Sequence, residues 1–183
     1  MGRVAGLPTA AITNDSALGG QIIDGSLTFN KVSDSDGSYL IRTPSTGGSR
    51  NRFTLSVWVK RTGNLGSWQR IIAASPGGND ISALAFRGDG NTDGLRLQMQ
   101  YSGVNKHWTS SGKFRDVGWY HIVMAVHLYG SAGERVRIYI NGERDYGSWT
   151  TGSEPDSSNQ YYFNHTTEPV SYTHLRAHET TNY

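Results

Sequence analysis

The chain has 183 residues, 36% of them hydrophobic and 17% charged, with a formal net charge of +2. That length suits one domain with one sizeable core. No basic cluster is longer than Lys60-Arg61, which argues against a nucleic-acid partner, and the absence of cysteine excludes a disulfide framework or a thiolate metal site.

There are 23 glycines, five prolines and 11% aromatic residues, the composition of short strands joined by tight turns. Residues 1–25 are small and polar and read as a flexible lead-in. They lack the apolar core of a secretory signal, and no later apolar run reaches the roughly 18 residues of a membrane span. Residues 26–30 and 39–42 are predicted short strands around a turn at 33–37. Residues 43–51 form a loop of Pro, Gly and Ser. In the strand predicted over 53–60, Phe53, Leu55, Val57 and Val59 share one face, and Thr54, Ser56, Trp58 and Lys60 the other.

A loop over 61–69 carries Trp68, and short strands are predicted over 70–74, 81–86, 95–101 and 107–110. The most informative stretch follows. Residues 119–126 are aromatic and β-branched enough for a strand, and 130–134 are a glycine-rich loop. In 135–140, Val136, Ile138 and Ile140 alternate with Arg135, Arg137 and Tyr139, so one face is buried and one wet. Asn141-Gly142 then supplies two residues that tolerate positive φ, a strong hairpin signal. Strands over 144–151 and 161–164, around a loop at 152–159, complete a count of roughly ten. Such a count predicts an all-β, two-sheet antiparallel sandwich of the jelly-roll kind.

Three blocks, residues 26–45, 52–75 and 118–144, resemble in order and spacing the laminin-G-like, concanavalin A-like lectin/glucanase domains of bacteriophage virion proteins. The resemblance spans residues 26–164. It implies two antiparallel sheets stacked face to face. It also implies a non-catalytic binding or structural module of a phage tail or virion surface, with host-surface carbohydrate and other virion proteins as partners. A lectin-like module of a bacterial surface or secreted protein is the alternative, and a glycan hydrolase the third reading. Such sandwiches return a late strand beside the first one, and the sequence offers no such strand before residue 168. The domain is therefore expected to be C-terminally truncated, covering 26–168. Residues 169–180, PVSYTHLRAHET, resemble the translation of a transposase adapter used in DNA sequencing. Residues 169–183 are accordingly set outside the domain, and His174, His178 and Glu179 are assigned no function.

A glycanase on this fold needs two carboxylates close together. The one Glu-x-Asp triplet, Glu143-Arg144-Asp145, is followed by Tyr146, Gly147 and Ser148 and lacks the second glutamate of laminarinase-like relatives. No enzyme activity is expected. Asp89, Asn91 and Asp93 with Gly94 fit the first half of a calcium loop, but Gln100 stands where the closing glutamate belongs. The plain turn is the favoured reading, so no metal or other cofactor is expected, with calcium the ion this loop would suit. Trp68, Trp108, Tyr129, Tyr146 and Trp149 fall in or near predicted loops. Aromatic faces there can stack on sugar rings; for each alone, capping the end of the core explains it as well. His107, His121, His127 and His165 are scattered, and His121 and His127 stand about 20 Å apart along one strand.

Overall fold

The computed structural model describes residues 31–33, 36–37, 39–61, 68–87, 93–116, 118–166, 170–173 and 176–179. Among them there is no helix. The strands are β1 (Lys31–Ser33), β2 (Asp36–Gly37), β3 (Tyr39–Arg42), β4 (Arg52–Lys60), β5 (Gln69–Gly77), β6 (Asp80–Phe86) and β7 (Leu95–Tyr101). They continue with β8 (Val104–Thr109), β9 (Trp119–His127), β10 (Val136–Ile140), β11 (Glu143–Asp145), β12 (Ser148–Thr151), β13 (Val170–Thr173) and β14 (Arg176–Glu179). One sheet has the order β11-β10-β9-β4-β14, the other β12-β8-β7-β6-β5-β13-β3, and β1-β2 is a separate hairpin. The pairs are antiparallel, as expected for a two-sheet sandwich.

The core forms where the period-two faces meet. Phe53, Leu55 and Val57 of β4 pair with Val126, Met124 and Ile122 of β9, and Ile138 of β10 pairs with Met124. This apolar face of the smaller sheet packs in one buried cluster with Ile72, Leu84, Phe86, Leu95, Leu97, Met99 and Trp108 of the larger. Each fully buried aliphatic or aromatic side chain contributes about 1.5–3 kcal/mol relative to exposure. The hairpin after β10 closes as the sequence predicts. Asn141 and Gly142 have φ of 52° and 86°, and Ile140 pairs with Glu143. Asn141 also returns to the sheet, its Oδ1 accepting from His121 N at 2.9 Å and its N donating to His121 O at 2.8 Å.

Several expectations change. The strand predicted over 144–151 is two strands: β11 stays in the smaller sheet, and β12 joins the edge of the larger one beside β8. The chain changes sheets at Tyr146-Gly147, where Gly147 has φ of 42°. Residues 161–164 form no strand. Tyr161, Tyr162 and Phe163 instead turn into the sandwich and are all buried. Three adjacent aromatics cannot alternate between a wet and a dry face, and isolated backbone bonds such as Tyr161 N to Arg50 O at 3.1 Å, together with side-chain bonds, replace the ladder. Tyr162 N donates to Ser82 Oγ at 3.0 Å, and Arg50 Nε donates to Tyr161 O at 2.8 Å. Tyr161 sits edge-on to Phe53, with centroids 5.6 Å apart. The turn predicted over 33–37 is the short β1-β2 hairpin. The strand predicted over 26–30 lies outside the described residues.

The position beside β3, where the family resemblance expects a late strand, is occupied by residues the sequence sets outside the domain. β13 pairs with β3 through Val170↔Arg42 and Ser171↔Ile41, and with β5 through Val170↔Ala74. β14 lies against β4, with Ala177 opposite Val59. The physical reason is the edge itself: unpaired N–H and C=O groups along β3, β4 and β5 template any segment able to extend.

Candidate functional site

The change of sheets at Tyr146-Gly147 builds a cleft at one end of the sandwich. Asp145, the last residue of β11, ties this turn to the end of β8. Its carboxylate accepts from Ser111 N at 3.0 Å, Ser111 Oγ at 2.8 Å and Gly147 N at 2.8 Å. Gly147 lies so close to β8 that a Cβ there would collide with the Trp108 indole and the Thr109 carbonyl. Trp108 Nε1 donates to Tyr146 O at 3.3 Å, and Trp149 of β12 pairs directly with Trp108. The local backbone thus points the Tyr146 ring outward, where it is 76% exposed.

Charged groups frame the aromatics. The Arg144 guanidinium lies over the Tyr146 ring, 4.7 Å from its centroid. Its Nη1 pairs with Glu134 Oε1 at 2.7 Å, and its Nη2 donates to Gly133 O at 2.8 Å. Glu154 accepts from Gly133 N at 2.5 Å and Val136 N at 2.9 Å, fixing the glycine-rich loop after β9. Lys106 Nζ donates to Ser153 O and Oγ, both at 3.2 Å, anchoring the segment after β12. The cleft encloses about 420 Å³, and its lining includes Trp108, Arg135, Arg144, Tyr146, Trp149 and Glu154.

Of the five aromatic candidates, Trp108, Tyr146 and Trp149 therefore come together, although Trp108 is largely buried. Tyr129 is exposed in the turn after β9 and lines none of the three clefts described here. Trp68 lies elsewhere, beside a groove of about 130 Å³ on the outer face of the larger sheet, with Arg70, Ala83, Ala85, Arg96 and Gln98. A third cleft, of about 260 Å³, lies between the sheets near Phe53, Leu55 and Ile72 and holds none of the five.

Of the calcium-loop candidates, Asp89 and Asn91 lie outside the described residues. Asp93 is buried and paired with two arginines, Arg115 Nε at 2.9 Å and Arg61 Nη1 at 3.4 Å. The hydrogen bond from Arg115 is the main cause of an Asp93 carboxyl held below its ordinary range, and the Arg61 charge adds to it, against the opposing effect of burial. Two guanidinium groups at that carboxylate compete directly with a cation. Arg61, half of the Lys60-Arg61 pair, is itself buried: Nε donates to Gln69 Oε1 at 2.7 Å and Nη1 to Phe114 O at 3.0 Å. Among the described residues, no three His, Asp or Glu side chains stand together as metal ligands.

The histidines are separate. His121 Nε2 lies 2.9 Å from Ser56 Oγ and its ring stacks on Trp58, while His127 Nε2 lies 2.8 Å from Arg52 Nη2. His107 touches Arg96. Burial first, then the charges of Arg96 and Arg87, lower its pKa to about 4. Arg135, Arg144 and Glu154 of the rim, and Arg70 and Arg96 of the groove, were not anticipated. Their only signal in the sequence is a charge at a wet strand position or in a loop.

Two antiparallel sheets packed face to face, with a cleft of aromatic and charged groups at the rim, define a lectin-like jelly-roll sandwich. The chain belongs to the concanavalin A-like lectin/glucanases superfamily, whose laminin-G-type family model matches residues 34–172. No curated protein matches the sequence. Among solved structures, the native heptameric SAP-like pentraxin from Limulus polyphemus is similar at 13% identity and a TM-score of 0.52, covering 83% of this chain and 72% of that one. Domain 4 of the extracellular arabinanase AbnA from Geobacillus stearothermophilus, solved with arabinotriose, is similar at 17% identity and a TM-score of 0.45, covering 86% and 83%. The globular domain of T. cruzi calreticulin gives 12% identity and a TM-score of 0.47, covering 76% and 65%. At these identities the likeness is one of fold. Among the described residues no helix is long and apolar enough to cross a membrane.

Proposed function

We propose that the chain is a non-catalytic carbohydrate-binding module that takes a saccharide in the rim cleft. The observation that carries this is the convergence of Trp108 with Tyr146 and Trp149, some 40 positions further along the chain, around one cleft of about 420 Å³. That volume falls in the usual range for small-ligand sites, about 300–1,000 Å³. Tyr146 and Trp149 offer apolar ring surface to the C–H face of a pyranose, and Arg135 and Arg144 offer donors to its hydroxyls. The carboxylates are committed to the protein. Asp145 is held by Ser111 and Gly147, and Glu154 by Gly133 and Val136. Glu143 stands exposed beside the Asn141-Gly142 turn. This distribution supports binding over hydrolysis, which needs a free carboxylate pair.

The setting we propose is a phage tail or virion surface, with host glycans as the ligand; it rests on the resemblance of residues 26–45, 52–75 and 118–144. A secreted or surface-bound bacterial lectin is the competing setting. Neighbouring tail, capsid or terminase genes favour the first, and a signal peptide in a longer upstream reading frame favours the second. Residues 169–180 are read as adapter-derived; independent long reads that encode PVSYTHLRAHET in uninterrupted genomic sequence would overturn that.

A glycan array probed with the full chain, and with Tyr146→Ala and Trp149→Ala, tests the site. The expected result is binding to a defined set of neutral glycans that falls at least about tenfold in each variant, equivalent to about 1.4 kcal/mol. Unchanged binding in both variants removes the rim cleft from the account. Reducing-sugar release from β-glucans would overturn the non-catalytic reading.

A further inference from the structure

The rim cleft holds two charged groups that the fold fixes without using up. Asp156 lies in the loop after β12 and, like Arg135, lines the cleft. Its carboxylate is committed through one oxygen only. Oδ1 accepts from Ser158 N at 2.9 Å and from Ser158 Oγ, while Oδ2 takes no hydrogen bond from the described residues. Asn159 brackets the same turn: Asp156 N donates to Asn159 Oδ1 at 3.1 Å, and Asn159 N to Asp156 O at 2.9 Å. Asn159 is buried, and its carbonyl accepts from Asn51 Nδ2 at 2.8 Å, which ties the turn to the residue before β4.

Arg135 is held in the same way. Its Nε donates to Gly130 O at 3.0 Å, and its own carbonyl accepts from His127 N at 2.7 Å, so the root of the guanidinium is fixed while both terminal nitrogens stay open. Arg135 and Asp156 form no ion pair with one another. They are close enough to feel each other. The Asp156 carboxyl is held below its ordinary range first by the bonds from Ser158 and then, against the effect of burial, by the charges of Lys106 and Arg135. An open acceptor and open donors of opposite charge thus face one cleft, each kept in place by a bond at its other end. The other two carboxylates of the cleft differ, because Asp145 and Glu154 have both oxygens bonded by the protein. With two guanidinium groups, Arg135 and Arg144, against these three carboxylates, the lining carries no positive excess for an acidic ligand.

We propose that Arg135 and Asp156 form a donor–acceptor couple that reads two adjacent hydroxyls of a neutral saccharide, one hydroxyl donating to Asp156 Oδ2 and its neighbour accepting from a terminal nitrogen of Arg135. The couple rests on the reading of the rim cleft as a saccharide site, and it supplies the groups that choose among sugars there. A hydroxyl has one O–H to give and lone pairs to receive with, so a vicinal pair satisfies both side chains at once. Hydrogen bonds to ionised partners are shorter than neutral ones and stronger. Both side chains are ordered before a ligand arrives, which lowers the entropy lost on binding. Tyr146 and Trp149 offer a stacking surface to the C–H face that pyranoses share, whereas the couple depends on where the hydroxyls stand. Specificity therefore lies with Arg135 and Asp156. One open carboxylate oxygen does not make a hydrolase, which needs two carboxylates.

The test is NMR titration of the full chain with the methyl β-pyranosides of glucose, galactose and mannose, each of their singly deoxygenated forms, and the matching uronosides. The variants are Asp156→Asn, which keeps the oxygen that Ser158 holds, and Arg135→Gln; Tyr146→Ala reports on the cleft itself. The amide spectra of the same samples show whether each variant is folded. Asp156→Asn and Arg135→Gln should each weaken the preferred neutral sugar about tenfold, the scale of one hydrogen bond to a charged group. In the wild type, removal of either of two adjacent hydroxyls should cost about as much, again about tenfold. Each variant should be insensitive to the loss of the one hydroxyl that its own side chain reads, the signature of a direct coupling. The uronoside should bind more weakly than its neutral parent, and the gap should narrow in Asp156→Asn. Full affinity in Asp156→Asn and Arg135→Gln, alongside weakened binding in Tyr146→Ala, overturns the couple and leaves the rim cleft standing. Deoxygenation penalties that are the same in the variants as in the wild type, or that fall on hydroxyls that are not adjacent, overturn it as well. A uronoside that binds more tightly than its neutral parent overturns the ligand class. No binding by any neutral probe, or binding untouched by Tyr146→Ala, removes the saccharide reading of the rim and the couple with it.

Discussion

The change of sheets at Gly147 makes a quantitative prediction. Two costs fall on Gly147→Ala. The backbone φ of 42° lies in the left-handed region, where a residue with a Cβ costs about 1–2 kcal/mol. The added Cβ would also overlap the Trp108 indole and the Thr109 carbonyl. Neither can retreat freely. Trp108 is buried in the core, and its Nε1 is bonded to Tyr146 O, while Thr109 is paired with both Arg96 and Ser148. Forcing a methyl group into such a site costs about 1–3 kcal/mol. The expected loss is therefore about 2–5 kcal/mol. Gly142→Ala is the internal control, because φ there is 86° and an added Cβ meets nothing within 4 Å. It should lose only the conformational part, about 1–2 kcal/mol. Urea unfolding of the wild type and both variants, followed by tryptophan fluorescence, measures the difference. Losses that agree within about 0.5 kcal/mol, the usual limit of additivity, would show that the approach of Gly147 to Trp108 has no energetic consequence.

The remaining predictions concern pH and the sheet edges. Burial pushes the Tyr162 phenol up to about 12, with Asp80 adding to the shift, and burial pushes Tyr161 higher still. Both pKa values are raised in the fold, so their stabilising contribution is complete below about pH 10, where the unfolded phenols are also neutral. It is lost as pH rises toward 12; urea midpoints across that range should fall, and less steeply in Tyr162→Phe. On the acid side, Asp93 is held ionised first by its bond to Arg115, so its contribution is present above its ordinary carboxylate pKa and lost as pH falls below it. Asp93→Asn should flatten that limb of the stability profile while lowering stability at neutral pH. His107, lowered to about 4, should remain neutral at pH 5.5 in a titration followed by NMR, and stability should begin to fall below about 6.5 as the unfolded ring protonates. Removing residues 169–183 strips β13 from between β3 and β5 and β14 from β4. The shortened 1–168 chain should associate, as seen by light scattering, and a monomeric, cooperatively folding product would refute the edge argument.

Where the chain alternates strictly, the sequence was enough. Phe53 to Val59 and Val136 to Ile140 each place every second residue inward, and the structure follows both patterns. Asn141-Gly142 located its turn because few other residue pairs hold two positive φ values in succession. The aromatic run at 161–163 misled because β propensity and aromatic content are the same signal. Those rings fill the space between the sheets, and the backbone that carries them is held by Arg50 and Ser82, more than 75 residues away in sequence. The split of 144–151 was hidden for a related reason. Gly147 looks like any turn glycine until β8 is laid beside it, where Trp108 and the Thr109 carbonyl leave no room for a side chain.

The two clefts differ in how far they could have been foreseen. At the rim, the aromatic residues could be named from the sequence, but their meeting depends on Tyr146 bonding to Trp108 across 38 positions. On the sheet face, even the direction of the arginine was concealed. Ile72 and Ala74 point inward opposite Leu84 and Ser82, so simple alternation would send Arg70 into the core. A bulge between Arg70 and Ile72 reverses the parity. It leaves Ile71 and Ile72 both buried and turns Arg70 outward, level with Ala85 and Arg96. The bulge thus absorbs one extra residue, Ile71, and keeps the Arg70 charge out of the core. The same bulge implies that deleting Ile71 would remove a core side chain and straighten β5 while leaving Arg70 opposite Ala85 and facing outward.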